Sequence, residues 1–324
     1  MDKHLREQLA AQLGKLAKSS GTELFVSGRT LQLPNSFEEL THDTETRRIA
    51  FVDGGNAVLL AGAGFCVQHI RVAVILQQEK RWLRERYDAY VTITAQDARP
   101  TYAVELMNST IPEAFSAPHI DGMRADLRDG AFGAKPERIG ALVRRLAELH
   151  CALHCLKNKK PDVLVLDGEL DGTSFEQEHL KQLHDLSATQ GVHVVGLSKT
   201  STSLTNKGHS GTALLLQKGP RQPWVMIPEQ TTNPVTGFVK LHEKSKHVFR
   251  LDGCAAGDIT FAAQALQKHA NDPLLVGYPY GLIVADHTAR VSQAEALVEQ
   301  QSLLAQCTPE VQLLLSSTNA HEFF

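Results

Sequence analysis

The sequence predicts an α/β fold: a mixed central sheet flanked by helices, with a small β-rich insertion. Three observations lead there. Two apolar runs, at residues 49–52 and 163–166, each end in an Asp-Gly pair. A long stretch of period 3.6 starting near Lys135 separates them. A third unbroken apolar run, in GVHVVGLS, follows a polar helical stretch. Runs apolar at every position belong to strands buried on both faces, and their alternation with helical patterns describes helices laid on a sheet.

Residues 2–18 place Leu5, Leu9, Leu13 and Leu16 at helical spacing among Lys and Glu, an amphipathic helix whose stripe is expected to dock on the body. RRIAFVDGGN and GAGFCVQHIRVAVILQQ make residues 49–77 two or three adjacent strands joined by Gly-rich turns. Residues 79–118 mix charge, aromatics and short apolar runs and give no assignable pattern. Pro136 opens a helix whose apolar face is Ile139, Leu142, Leu146, Leu149 and Leu153, running to about Lys157. The basic turn KNKKP then leads into the strand DVLVLDGEL. A polar helix at 174–188 precedes the strand GVHVVGLSKT. TALLL, PWVMI, GFVKL and KHVFRL, within residues 212–251, have β character and form the expected insertion. A helix near 258–270, the segment LLVGYPYGLIVADHTARV with a strand at 282–285, and a helix from Ser292 complete the chain. Adjacent strands first, then a long helix leading to a strand with an acidic end, is the logic of the RNase H-like architecture, in which acids converge on one edge.

Composition narrows the class. The 324 residues are 42% hydrophobic and 21% charged, enough to bury a core and too apolar for wholesale disorder. Lys+Arg at 33 against Asp+Glu at 36, a formal net charge of -3, excludes a histone-like basic coat and confines any nucleic-acid contact to a local groove. No apolar run approaches the roughly 20 residues of a membrane span, and the amino terminus lacks a signal-peptide apolar core. Five cysteines, an odd number in a large chain, fit reduced thiols. The expectation is a soluble cytoplasmic protein without a membrane partner.

The residues able to do chemistry are mostly acids. Asp53 follows a buried run and precedes Gly54 and Gly55; Asp-Gly also suits an ordinary turn. Asp167 repeats the arrangement, with Glu169 two residues on. Two strand-terminal acids suggest a shared site for hard divalent cations, which take carboxylate oxygens and can flank a scissile phosphate. Glu148 lies on the preceding helix beside Arg144 and Arg145, where a solvated helix face is the competing reading. Asp162 and Asp171 read as structural. His150 and His154, with Cys151 and Cys155, could ligate zinc, but no further ligands stand at standard spacing. Lys199, in SKTSTS, could neutralise a phosphate or the acids. Lys240, Lys244, Lys246, His247 and Arg250 form a basic hairpin suited to phosphate contacts or to ordinary outward-facing charge.

FVDGGN, VLVLDGEL, VVGLSKTSTS, FVKLH…VFR and GYPYGLIVADH, in this order over roughly residues 49–290, resemble the NurA nuclease family. The resemblance implies an RNase H-like fold, a homodimer enclosing a DNA channel, and Mn²⁺-dependent DNA cleavage, with Mg²⁺ as the alternative ion. It implies 5′-to-3′ exonuclease and single-strand endonuclease activity in DNA-end resection and double-strand-break repair, with a hexameric HerA-type translocase as partner. On it, Asp53 matches the first-strand metal acid, Asp167 the acid of the second strand, Glu148 the helix glutamate and Tyr278 the tyrosine of GYP. Family members place a histidine directly after the alanine of GYPxxLxxA; here Asp286 stands there and His287 one place later. On a strand only one of the two faces the acids, and register favours Asp286 as the fourth metal ligand. Lys199, Lys240, Lys244 and Arg250 are then the DNA-binding residues. The domain reading is an N-terminal helix and lead-in at 1–40, the nuclease domain at 41–310 and a tail at 311–324.

Two other classes compete: a non-catalytic RNase H-like subunit that clamps DNA or tethers a translocase, and an actin-like ATPase suggested by strand-Asp-Gly-Gly. The second lacks another Gly-rich phosphate loop.

Overall fold

The structure, a computed structural model, describes residues 2–16, 20–33, 36–41, 45–97, 101–112, 119–199, 203–229 and 233–318. In chain order the elements are α1 (Lys3–Leu16), β1 (Glu23–Val26), β2 (Arg29–Gln32), β3 (Glu38–Glu39), β4 (Arg48–Gly62), β5 (Phe65–Gln78), β6 (Arg81–Ala95), β7 (Thr101–Met107) and β8 (Ile120–Asp121). Then come α2 (Pro136–Lys159), β9 (Val163–Asp167), α3 (Gln177–Gln190), β10 (His193–Ser198), β11 (Leu204–Thr205), α4 (Gly211–Lys218) and β12 (Trp224–Met226). β13 (Val235–Lys240), β14 (Phe249–Gly253), α5 (Ala256–Gln267), α6 (Tyr280–Ala289), α7 (Gln293–Leu304) and α8 (Pro309–Thr318) end the chain. The chain divides into two compact units: the first holds Met1–Arg47, Val165–Asp171 and His193–Tyr280, the second Arg48–Leu164, Gly172–Val192 and Gly281–Phe324.

The second unit is built on the antiparallel strands β4-β5-β6-β7-β8. β5 is buried along nearly its whole length, as its run of Val, Ile and Ala requires. α2 packs on β4 and β5, and Ile139, Leu142, Leu146, Leu149 and Leu153, the apolar face that the periodicity predicts, are all buried, as is Val143. Residues 49–77 are thus two strands. The strand does not stop at Asp53: β4 runs unbroken through Asp53-Gly54-Gly55, paired residue by residue with β5. The unassigned stretch 79–118 supplies β6 and β7.

The first unit carries strands in the order β3-β12-β13-β14-β10 and then the end of β9, Val165–Asp167, with the hairpin β1-β2 and β11 as a separate three-stranded sheet. Leu24, Val26, Leu31, Leu215, Trp224, Met226 and Phe238 form one buried cluster joining hairpin, α4 and strands. PWVMI, GFVKL and KHVFRL are strands as expected, whereas TALLL is the helix α4, opened by Ser210, whose hydroxyl accepts from the Ala213 N–H. LIVA at 282–285 is likewise helical, inside α6. α1 forms, but Leu5, Leu9 and Leu13 are 45%, 44% and 64% exposed, so its stripe is not docked. Among the described residues no helix is long and apolar enough to cross a membrane.

Candidate active site

Side chains alternate across a strand, so Gly54 and Gly55 face opposite sides of β4. A Cβ on Gly54 would lie 2.4 Å from Glu148 Oε1, and one on Gly55 would lie 2.3 Å from the carbonyl oxygen of Ala289 at the end of α6. The two glycines are therefore close-approach positions where α2 and α6 seat against the strand, and the pair is not a turn. Asp53, immediately before them, is 5% exposed, and its Oδ1 accepts the Gly54 N–H at 2.8 Å.

Glu148 is 1% exposed, so the solvated-face reading of this helix surface fails. Its Oε2 accepts from Arg145 Nη1 at 2.9 Å, and its Oε1 from Arg144, which also donates to the Gly54 carbonyl at 3.0 Å. A buried carboxylate needs such positive partners.

Asp286 and His287 lie on α6, so the alternation argument applied to them does not hold. About 100° of helix rotation separates the two. His287 is exposed, while Asp286 is half-buried and its Oδ2 accepts from Arg290 at 2.7 Å. Three residues beyond Asp286 stands Ala289, whose carbonyl meets Gly55, so Asp286 is on the neighbouring row of the helix. Asp53, Glu148 and Asp286 are all in the second unit, yet their donor atoms do not converge within one 4.8 Å cluster.

In the first unit Asp167 does end its strand, and Gly168 follows with φ +100°, a left-handed conformation that glycine adopts without strain. Lys199 donates to Asp167 Oδ2 at 2.9 Å, and its ammonium lies 5.8 Å from the ring centroid of buried Tyr278. Thr200, Ser201 and Thr202 of the SKTSTS motif lie outside the described residues.

Two of the proposed DNA contacts are corrected by burial. Lys240 is 4% exposed and donates to the Arg221 carbonyl at 2.6 Å; burial, with Arg221 nearby, holds its ammonium below the usual lysine range. Arg250 is 1% exposed and acts as an internal clamp. Its guanidinium reaches Asp252 Oδ1 at 2.8 Å, Ser27 Oγ at 2.6 Å, Glu169 Oε2 at 3.0 Å, and Asp171. Asp171 also pairs with Arg29, and the Leu170 N–H donates to Asp252 at 3.1 Å. The segment after Asp167 is thus tied to β14 and to the β1-β2 turn. Lys244 is exposed. Asp171 and Asp162, whose Oδ2 accepts the Arg48 N–H at 2.7 Å, are structural, as expected.

Sequence reasoning missed Asp252, fully buried at 0% exposure, although LDG at 251–253 repeats the Asp-Gly signal of the other two strands. It also missed the cluster under α7. His69 Nδ1 lies 3.0 Å from Glu299 and Nε2 2.9 Å from Asp88, while Arg71 bridges Asp88 and Glu295 at 2.6 Å each. The hydrogen bond from Arg71 holds the Glu295 carboxyl below its usual range. Burial pushes Asp88 up, but Arg71, His69 and Arg86 outweigh it and hold Asp88 low as well. Cys151 and Cys155 are buried thiols; desolvation pushes Cys155 up to about 12, which disfavours the thiolate a zinc site needs.

Taken one by one, these acids are of the oxygen-donor type a hard divalent cation takes. Glu148, Asp167 and Asp286 each hold a basic side chain on a carboxylate oxygen, the position a cation takes. Among the described residues Ser198 Oγ, one residue before Lys199, is buried with no hydrogen-bond partner, which leaves an acceptor for a ligand or its water.

A large mixed sheet flanked by helices, with acids on its strands, defines the RNase H-like class. The NurA domain family matches residues 47–291, and the chain belongs to that family. The crystal structure of the NurA nuclease from Sulfolobus solfataricus superposes with a TM-score of 0.53 at 13% identity, covering 94% of this chain and 97% of that one. A NurA structure bound to dAMP and manganese gives 0.48 at 10% identity, covering 87% and 93%. Human endonuclease V gives 0.38 at 14% identity, covering 82% and 94%. No curated protein matches the sequence.

Proposed function

We propose that the chain is a divalent-metal-dependent DNA nuclease. The observation that carries this reading is Asp53: a buried acid in mid-strand, followed by two glycines against which Glu148 and the end of α6 are seated. Family membership supports it. Asp53, Glu148, Asp167 and Asp286 are the acids that would offer carboxylate oxygens to a divalent cation. Bound there, a divalent cation supplies charge stabilisation for the attacking and leaving oxygens of the phosphodiester. Lys199, on Asp167, is placed to pass its ammonium to a phosphate oxygen once a cation takes over the carboxylate. Tyr278, with the lysine over its ring, fixes that side chain. His287, exposed on α6, is left as the proton donor to the leaving oxygen. Of the basic hairpin, Lys244 remains the exposed DNA contact.

The finer reading follows the family resemblance: Mn²⁺ as the ion, 5′-to-3′ exonuclease and single-strand endonuclease activity, a homodimer, and DNA-end resection with a HerA-type hexameric translocase. DNA labelled separately at each end, incubated with Mn²⁺, Mg²⁺ or EDTA, tests it. Mn²⁺-dependent shortening from the 5′ end supports the reading, and shortening from the 3′ end overturns the polarity.

A non-catalytic DNA clamp is the second reading, favoured by the two arginines that neutralise Glu148. Retained DNA binding with no cleavage under any metal would select it.

A further inference from the structure

In the first unit, α4 and the loop before β14 border a solvent-open cavity of about 220 Å³. Lys199, Thr212, Lys246 and His247 line it, with Leu216 and Val248 as its larger apolar members. None of its described lining residues is acidic. Lys246 and His247 are exposed, in contrast to the buried Lys240 and Arg250 on the flanking strands. The wall opposite them exists because residues 211–218 are helical: the first turn of α4 brings in Thr212, whose hydroxyl is 3.2 Å from Ser210 Oγ and can turn to an incoming acceptor.

Two lysines on one polar pocket, Lys199 paired with Asp167 and Lys246 exposed, are a local feature rather than a basic background in a chain of formal net charge -3. An anion entering the pocket would find the Lys246 ammonium without a carboxylate among the pocket's described lining residues. The space suits a phosphate group and several waters, at about 30 Å³ per water. Lys199 joins the cavity to Asp167, because its side chain lines the one and its ammonium donates to the other at 2.9 Å.

We propose that this cavity is a phosphate subsite that takes a backbone phosphodiester of a DNA strand, one linkage removed from the phosphate at Asp167. The proposal rests on the nuclease reading and adds the residues that hold the strand beside the scissile bond. Lys246 supplies the charge, His247 and Thr212 supply hydrogen bonds, and the sequence of the bases is not read.

Fluorescence anisotropy of labelled oligo-dT tests it, in EDTA to prevent cleavage and with salt varied from about 50 to 200 mM. Lys246→Ala is expected to weaken binding several-fold and to flatten the salt slope by about 0.7, the release expected for one lost single-strand phosphate contact. Lys246→Arg should restore both, and His247→Ala should weaken binding less. Lys181→Ala, on exposed α3 and paired with Asp185, should change neither. An unchanged slope for Lys246→Ala, with wild-type protein that binds and cuts DNA, overturns the subsite and leaves the nuclease reading standing. Wild-type protein that neither binds nor cuts DNA overturns both. Inorganic phosphate that shifts the Lys246 and His247 resonances without competing with oligo-dT would make the cavity a site for the free ion and also overturn the proposal.

Discussion

Glu148 occupies the space that a side chain on Gly54 would need: a Cβ at residue 54 would lie 2.4 Å from its Oε1 and 2.8 Å from its Cγ. Because Arg144 and Arg145 pin the carboxylate, it has little room to give. Gly54→Ala should therefore cost about 1–3 kcal/mol of stability, the usual penalty of overpacking, and reduce cleavage at least tenfold. Urea denaturation and a cleavage assay on the same preparation check this. Normal stability together with normal activity would show that Glu148 is not held there.

Arg250 is the hub of a buried charge network, so removing it strands Asp252 without its cation and leaves Asp171 with Arg29 alone. Breaking a buried pair from one side costs about 3–5 kcal/mol, and Arg250→Gln should fall in that range. Arg29→Gln, at a partly exposed guanidinium that shares Asp171, should cost less. Hydrogen exchange should show faster opening of residues 168–171 in both variants. If Arg250→Gln keeps wild-type stability and loses only DNA affinity, the residue is a DNA contact after all.

The packing of α7 should depend on acid pH. Glu295 and Asp88 have carboxyl groups held below their ordinary values of 4.5 and 3.8. A depressed folded value means that the unfolded chain binds protons more readily. The stabilisation is complete above about pH 4.5 and is lost as the pH falls through the lowered folded values. Arg71→Gln removes the partner that both acids share and should flatten this acid limb. Thermal melts of the two proteins between pH 2 and 6 measure it, and parallel curves would rule the network out as the cause.

Much of the fold was legible because burial dictated it. The apolar face of α2 and the unbroken runs of β5, β9 and β10 carry their own periods. Two helices were misread for the same reason. Residues 282–285 and 213–216 are apolar runs too short to separate a buried helix from a strand. β6 was illegible because its first half, RWLRERY, has exposed or half-exposed residues on both faces, which leaves no alternation. The acids were visible as Asp-Gly pairs, but the pattern could not say what the glycine does. At Gly54 it admits Glu148, whereas at Gly168 it turns the chain. At Asp252 the same dipeptide marks a buried partner for Arg250. Charge alone also misjudged Lys240 and Arg250, since a basic side chain on a strand reads the same whether it points to solvent or to buried carboxylates.

The most direct measurement is cleavage of end-labelled DNA by the wild type, Asp53→Ala and Asp167→Ala in Mn²⁺, with EDTA as the blank. Removing either acid takes away a ligand whose charge the reaction depends on; relief of the buried Asp53 carboxylate should leave the apo fold as stable or more so, and loss of the partly exposed Asp167–Lys199 pair should cost it little. The expected result is cleavage by the wild type that EDTA abolishes, and none by either folded variant. Cutting by either variant at the wild-type rate, or DNA left intact by the wild type in Mn²⁺, would contradict the assignment.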